Sequence, residues 1–185
     1  STAFPMNKED AKRSWTNTHL GRHWNGINPG DRLFMIWGHS HLFSGKGARR
    51  KQFLRQLKDW AVNIDRMSAY NLSTKQLSII ADNIDRAGPT YVIGYGSCLV
   101  QLSHFLSDHG RVLSGTGIRR VVNTSESMAI ADVKHIENVF GCPLINEYGS
   151  AEAGVIGYSE GLLYPVKLFW YDFITRFVDR RIVLT

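Results

Sequence analysis

The sequence predicts an α/β fold: a doubly wound, mostly parallel sheet with helices on both faces, plus a small C-terminal β extension. Two observations lead there. Helical and extended patterns alternate about five times over residues 1–154, and the extended stretches are apolar throughout, without the wet alternate face of an antiparallel sheet. The composition agrees, since 185 residues with 43% hydrophobic and 11% aromatic side chains can bury a real core.

The elements follow in order. "NKEDAKRSWTNTHLGRHW" (7–24) reads as a helix capped by Asn7, with Glu9 and Asp10 in its first turn and bases further on, as the helix dipole favours. "INPGD" breaks it, and "RLFMIWG" (32–38) is an apolar strand. A glycine-bearing loop leads to a basic helix, on which Phe53, Leu54, Leu57, Trp60, Ala61 and Ile64 are expected to form one buried face. "IDRMSAYNLS" is a short strand ending at Ser73. There "STKQ" forms a capping box, and Leu77, Ile80, Ala81 and Ile84 mark a one-faced helix that stops at Gly88-Pro89. "TYVIGYGS" is strand and turn, "SCLVQLSHFLSDHG" a helix closing on Gly110, and "RRVVNTSE" another strand and turn. In "SMAIADVKHIENVFG" the inward positions of a helix are Ala129, Val133, Ile136 and Phe140, with Gly141 at its end; "CPLINEYG" is the next strand. After Gly154 turns are expected at Glu160-Gly161 and Asp179-Arg180 between antiparallel runs, so residues 1–154 form the core and 155–185 the extension. The end at Thr185, mid-strand, suggests a fragment, and a sheet cut there would expose an edge that invites a homodimer.

Charge and cysteines narrow the classes. The net charge of +6 and a pI near 9.5 raise the question of an anionic partner. The dense basic group, Lys46, Arg49, Arg50, Lys51, Arg55 and Lys58, falls on the second helix and reads as its solvated side. No helix-turn-helix, RNA-binding aromatic signature or finger motif accompanies it, so no specific nucleic-acid partner is expected. No apolar run approaches the roughly 20 residues of a membrane span, and the N-terminal stretch has no signal core. Cys98 and Cys142 lie far apart in apolar surroundings without C-x-x-C spacing, which speaks for a reducing, cytoplasmic setting.

In such sheets ligands sit beyond the carboxyl ends of the strands. Four loops there are chemically distinctive: "GHSHLFSG", "GYGSC", "NTSES" and "NEYGSAEAG". Each alone is an ordinary turn composition. "GYGSC" is neither a nucleophile elbow nor a dinucleotide fingerprint, and "GKGARR" is no phosphate loop.

Taken together, "NEYGSAEAG" preceded by "FGCPLI", and "VVNTSESMAIADVKHIENVFG" one strand earlier, resemble the nucleotide-binding core of adenylate-forming enzymes, the acyl-CoA synthetase superfamily. The likeness is to the phenylacetate-CoA ligase branch, with its capsular polysaccharide biosynthesis proteins of the CapK type. Their motif is Y-G-x-[TS]-E one strand after a T-S-E or G-G-E loop, and "YVIGYGSCLVQLSHFL" is similar to their "GYPS" strand and helix. "STAFPMNKED" resembles the segment directly after their triphosphate loop and "VDRRIVLT" the strand before their ribose-binding Asp, so the likeness spans nearly the whole chain.

The resemblance implies an ATP-dependent ligase that activates an aryl or acyl carboxylic acid as acyl-AMP and passes it to coenzyme A. It implies that Tyr148 presents its ring to adenine, that the bend at Gly149 brings main chain to the nucleotide, and that Asn146, Glu147, Ser150 and Ala151 belong to the same site. Thr124, Ser125 and Glu126 would line the other side of the adenine pocket, and Glu152 would ligate Mg2+, a hard donor for a hard cation. His39 and His41 would lie near the acyl pocket with Tyr95 and Gly96; H-x-H without nearby acids or cysteines reads as polar loop before it reads as a metal pair. One departure matters: Ala151 stands where the family motif has Thr or Ser, removing a hydroxyl that would reach the α-phosphate. A catalytic Lys, a triphosphate loop and a ribose-binding Asp are expected outside this chain, so turnover by the chain alone is not expected. The competing reading is a non-catalytic nucleotide- or anion-binding α/β module.

Overall fold

The computed structural model describes residues 8–38, 48–150, 153–161, 165–172, 175–178 and 181–184. Helix α1 (Lys8–Trp24) leads into strand β1 (Leu33–Trp37), and α2 (Ala48–Ala61), β2 (Ile64–Ser68), α3 (Thr74–Ala87), β3 (Tyr91–Tyr95), α4 (Gly96–Asp108), β4 (Arg120–Thr124), α5 (Ile130–Phe140) and β5 (Leu144–Ser150) follow in regular alternation. Strands β6 (Gly154–Ser159) and β7 (Lys167–Leu168) complete a seven-stranded sheet in the order β2-β1-β3-β4-β5-β6-β7. The first five strands are parallel, and β6 and β7 are antiparallel additions to the same sheet. A separate antiparallel pair, β8 (Thr175–Val178) with β9 (Arg181–Leu184), flanks the expected Asp179-Arg180 turn. The predicted α/β architecture is therefore the observed one.

The apolar strands are explained by burial on two sides. Val121 and Leu144 join Ile80, Leu99, Leu102 and Ile136 in a core beneath α3, α4 and α5, while their neighbours Val122 and Ile145 pack with Ile27, Leu20 and Phe169 on the α1 side. Full burial of one such side chain stabilises by about 1.5–3 kcal/mol, so both faces contribute. In the order β2-β1-β3 the direction of strand addition switches between β1 and β3, which opens a crevice at their carboxyl ends.

Local signals act in part as expected at α3: the Ser73 cap forms, but the reciprocal half of the capping box does not, because the Ser73 amide donates to the Asn71 carbonyl at 2.8 Å. Ser73 Oγ accepts from the Gln76 amide at 3.4 Å, and Gly88 closes the helix in the left-handed region with φ 55°. Gly141 does the same for α5 at φ 67°.

Other expectations are corrected. The apolar residues of α2 do not form a buried face: Leu54, Leu57 and Trp60 are 46, 51 and 78% exposed, Ala61 is exposed too, and Ile64 belongs to β2. Among the described side chains of α2, the partly buried Arg55 and Asp59 meet the sheet edge instead. Arg66 on the edge strand β2 donates from Nε and Nη2 to Asp59 at 3.0 and 3.1 Å, and this ion pair orients the helix. Strand β2 ends at Ser68, five residues before Ser73, because Ala69 to Leu72 turn outward to reach α3. Ala129 is an exposed N-cap residue and not an inward one, since α5 begins only at Ile130. The Asn7 cap and Phe53's packing lie outside the described residues.

The α1 helix is fixed by close approach and by buried polar pairing. Asn17, 1% exposed, donates to Asp172 at 2.7 Å and accepts from the Tyr171 hydroxyl at 2.9 Å. Gly21 lets α1 settle on the Tyr158 ring, where a Cβ would lie 2.0 Å from a ring carbon. Among the described residues no helix is long and apolar enough to cross a membrane.

Two outcomes are expected. Gly21→Ala, which in an exposed helix stabilises by about 1 kcal/mol, here lowers Tm by several degrees in a thermal melt because the overpacking against Tyr158 outweighs propensity. Burial pushes the Cys98 thiol up and the Cys142 thiol up to about 11, so neither reacts with a thiol reagent at pH 8 until the chain is unfolded.

Candidate nucleotide site

At their carboxyl ends β4 and β5 are locked by two polar cross-strand pairs, one on each face of the sheet. The register places Asn123 beside Asn146 and Thr124 beside Glu147. On the α4 and α5 side, Asn123 Nδ2 donates to Asn146 Oδ1 and to the Glu126 carbonyl, both at 2.7 Å. On the α1 side, Thr124 Oγ1 donates to Glu147 Oε1 at 3.2 Å. Strand alternation dictates this division, because successive side chains point to opposite faces.

The loop after β4 closes tightly over α4. Ser125 adopts φ 67°, the left-handed region that a non-glycine residue enters only under constraint. The turn brings the Glu126 carboxylate to the first turn of α4, where Oε2 accepts from the Ser97 amide at 2.6 Å. A carboxylate there satisfies an orphan N–H and complements the positive end of the helix. Asn123, 3% exposed, thus ties the β4 loop to β5, while Glu126 ties that loop to the start of α4; the Asn123 Oδ1 is buried without a hydrogen-bond partner.

The crevice at β1 and β3 has an aromatic lining. Tyr95 packs on Trp37 with ring centroids 4.8 Å apart, and Tyr70 reaches over Gly38. Burial pushes the Tyr95 hydroxyl above its ordinary range, against the opposing pull of the Gly38 backbone.

Beyond the lock, β5 carries Tyr148 with its side chain 39% exposed. The pairing with β6 shifts between Tyr148 and Gly149, a bulge that bends the strand. Gly149 is required there, because a Cβ would fall 2.5 Å from the Gly154 carbonyl of the neighbouring strand. Ser150 is exposed and its Oγ accepts from the Ala153 amide at 3.1 Å.

Most of the residues singled out in the sequence therefore gather at one edge of the sheet: Tyr95, Gly96, Ser125, Glu126, Asn146, Tyr148, Gly149 and Ser150. The side chains of Thr124 and Glu147 are turned away from them, paired with each other on the α1 side. His39, His41, Ala151 and Glu152 lie outside the described residues. Among the described residues no three His, Cys, Asp or Glu side chains converge as a metal site. Asn123, Trp37 and Tyr70 are not singled out by the sequence; the first two are detectable as residues at the carboxyl ends of predicted strands, whereas Tyr70 carries no signal of its own.

Solved structures share this fold. A 2-hydroxyisobutyryl-CoA ligase, crystallised in an open conformation with 2-HIB-AMP and CoA, superimposes with a TM-score of 0.68 at 16% identity over 96% of this chain and 38% of that one. The fold is that of part of an acyl-CoA ligase. A long-chain-fatty-acid-CoA ligase from Archaeoglobus fulgidus matches with a TM-score of 0.55 at 12% identity, over 83% of this chain and 30% of its own. The coronafacic acid ligase from Pectobacterium brasiliense gives 0.51 at 14% identity, over 80% and 28%. The chain thus spans between 28 and 38% of the length of these three ligases. No family model and no curated protein sequence matches it.

The Asn123 amide is the testable centre of this geometry. Asn123→Ala leaves the Asn146 side chain and the Glu126 carbonyl without their donor in a buried setting, and is expected to cost about 1–3 kcal/mol in urea unfolding. An unchanged urea midpoint would show that the amide does not stitch the two loops.

Proposed function

We propose that this chain is the nucleotide-binding core of an adenylate-forming ligase, which activates a carboxylic acid as its acyl-AMP and hands the acyl group to coenzyme A. One observation carries the reading. The two loops that resemble the family's motifs, "NTSE" and "NEYGS", lie side by side at the carboxyl edge of a sheet that has the acyl-CoA ligase fold. The position also satisfies the general rule for ligand sites in open α/β sheets.

The residues suit the task. Adenylation joins a carboxylate oxygen to the α-phosphorus of ATP and releases pyrophosphate, so the site must hold a flat base and orient the reacting atoms. The half-exposed Tyr148 ring offers a stacking surface for adenine beside Asn146, and the Ser125 turn with Glu126 forms the opposite wall. The aromatic lining of Trp37, Tyr70 and Tyr95, with Gly96, is the proposed acyl pocket, and by the resemblance His39 and His41, which follow β1 in the sequence, are proposed to lie near it. Magnesium, when bound, would neutralise phosphate charge. By the resemblance, Glu152 is the carboxylate proposed to hold it; Glu126 is engaged with the Ser97 amide and Glu147 with buried partners. The branch proposed is the phenylacetate-CoA ligase one, with an aryl or acyl acid as substrate. Because the chain spans only 38% of the 2-hydroxyisobutyryl-CoA ligase, complete turnover is proposed to need more than this span.

Calorimetric titration with AMP, and with ATP plus magnesium, tests the reading. Saturable binding is expected. Tyr148→Ala weakens AMP by roughly 5- to 150-fold, the range for loss of one base-stacking ring, and Glu152→Ala removes the magnesium dependence of ATP binding. Binding insensitive to Tyr148→Ala would favour the second reading, an anion-binding module, to which the missing hydroxyl at Ala151 also points.

A further inference from the structure

Behind the proposed site lies a buried charge network that its chemistry does not require. Glu147, its side chain 8% exposed, accepts from the Tyr158 hydroxyl at 2.5 Å, from Thr124 Oγ1 at 3.2 Å and from Arg22 Nη2 at 3.3 Å. These donors come from three separate elements, β6, β4 and α1. The Arg22 side chain is itself only 13% exposed, and its guanidinium also lies over the Tyr91 ring, 5.9 Å from the centroid. Burial is the largest influence on the Arg22 charge and opposes it, but Glu147, Tyr158 and Tyr91 together outweigh it and hold the guanidinium above its ordinary range. The Tyr158 hydroxyl is raised far above its ordinary range by burial and by Glu147, so it stays a donor.

We propose that Arg22 and Tyr158 are positioning residues for the nucleotide loop: by pinning Glu147 to the α1 face they fix the direction in which Tyr148 leaves the opposite face. The inference rests on the reading of Tyr148 as the stacking residue. Tyr148 stands between two fixed points. On one side is Glu147, whose carboxylate is held by three elements, and on the other is the bulge before Gly149. Side chains alternate along a strand, so rotation or slippage at Glu147 re-aims Tyr148 directly. A bulge concentrates strand bending at that point, which makes the preceding anchor decisive. A residue buried for stability alone would serve as well with an apolar side chain of equal volume, because a buried ion pair is seldom more stabilising than a good hydrophobic contact. The network sits one residue from the proposed stacking ring, which gives the charge a directional role.

The test uses the full 185-residue chain, with Tm and AMP affinity measured on the same samples well below the melting range. Tyr158→Phe removes one hydroxyl and keeps the ring that packs on Gly21 and Phe169. It is expected to weaken AMP about 10-fold or more, as small misplacements do. Arg22→Met is expected to do the same, and Arg22→Lys to recover most of the affinity by restoring a cation. If Arg22→Met fails to fold, Tyr158→Phe and Arg22→Lys still decide the matter. Unchanged AMP affinity in Tyr158→Phe, with a lowered Tm, overturns the proposal and leaves the network purely structural. Absence of AMP binding by the unsubstituted chain overturns the nucleotide reading first, and this proposal with it.

Discussion

The register between β4 and β5 is the constraint on which the rest depends. A parallel pair has no tight turn to set its alignment, and apolar runs such as Val121-Val122 and Leu144-Ile145 tolerate slippage, since valine, leucine and isoleucine are interchangeable partners across a core. The polar pairs at the end of the ladder remove that freedom. Asn123 with Asn146 on one face and Thr124 with Glu147 on the other satisfy their hydrogen bonds only in the observed alignment. A shift of one residue would place a carboxylate beneath α4 and α5 and an amide against Arg22, each buried without its partner, at a cost far above that of a lost apolar contact.

From that alignment the site is built. The β4 loop lands beside the β5 loop, Ser125 is forced into the left-handed region, and Glu126 arrives at the amino end of α4. Tyr148 then projects at the rim, past a bulge that only Gly149 can accommodate beside the Gly154 carbonyl. Each step is local, yet the outcome is an edge formed by residues far apart in sequence. On the other face the same strand ends are braced by Arg22, so the helix that opens the described chain is energetically tied to the loop that closes the core.

Much of the architecture is legible because burial on both faces writes itself into apolar runs, and because Ser73, Gly88 and Gly141 mark helix ends by local chemistry. The failures have equally physical causes. On α2 the apolar spacing predicts a buried face, but the Asp59 to Arg66 ion pair turns the polar side to the sheet, and no spacing rule distinguishes which face a helix at the edge of a sheet presents. Within the proposed site, residue type and loop position point to Tyr148, Ser125 and Glu126 as candidates. They cannot reveal that Glu147, next to Tyr148, faces the other way, because its partners Arg22 and Tyr158 are contributed by elements remote in sequence. Asn123 does not stand out because an Asn at a strand end reads as an ordinary turn former, and its role as a stitch exists only in three dimensions.

The most direct test of the central claim is a nuclear magnetic resonance titration of the 15N-labelled chain with AMP, following every amide. A site at the carboxyl edge of the sheet predicts that the perturbed amides cluster at Tyr95, Ser97, Ser125, Glu126, Asn146 and Tyr148. The claim is contradicted if they cluster instead toward the amino ends of β1 and β2, around the cavity of about 290 Å3 lined by Arg32, Asp65, Arg66 and Arg86, where the basic side chains alone would hold the phosphate.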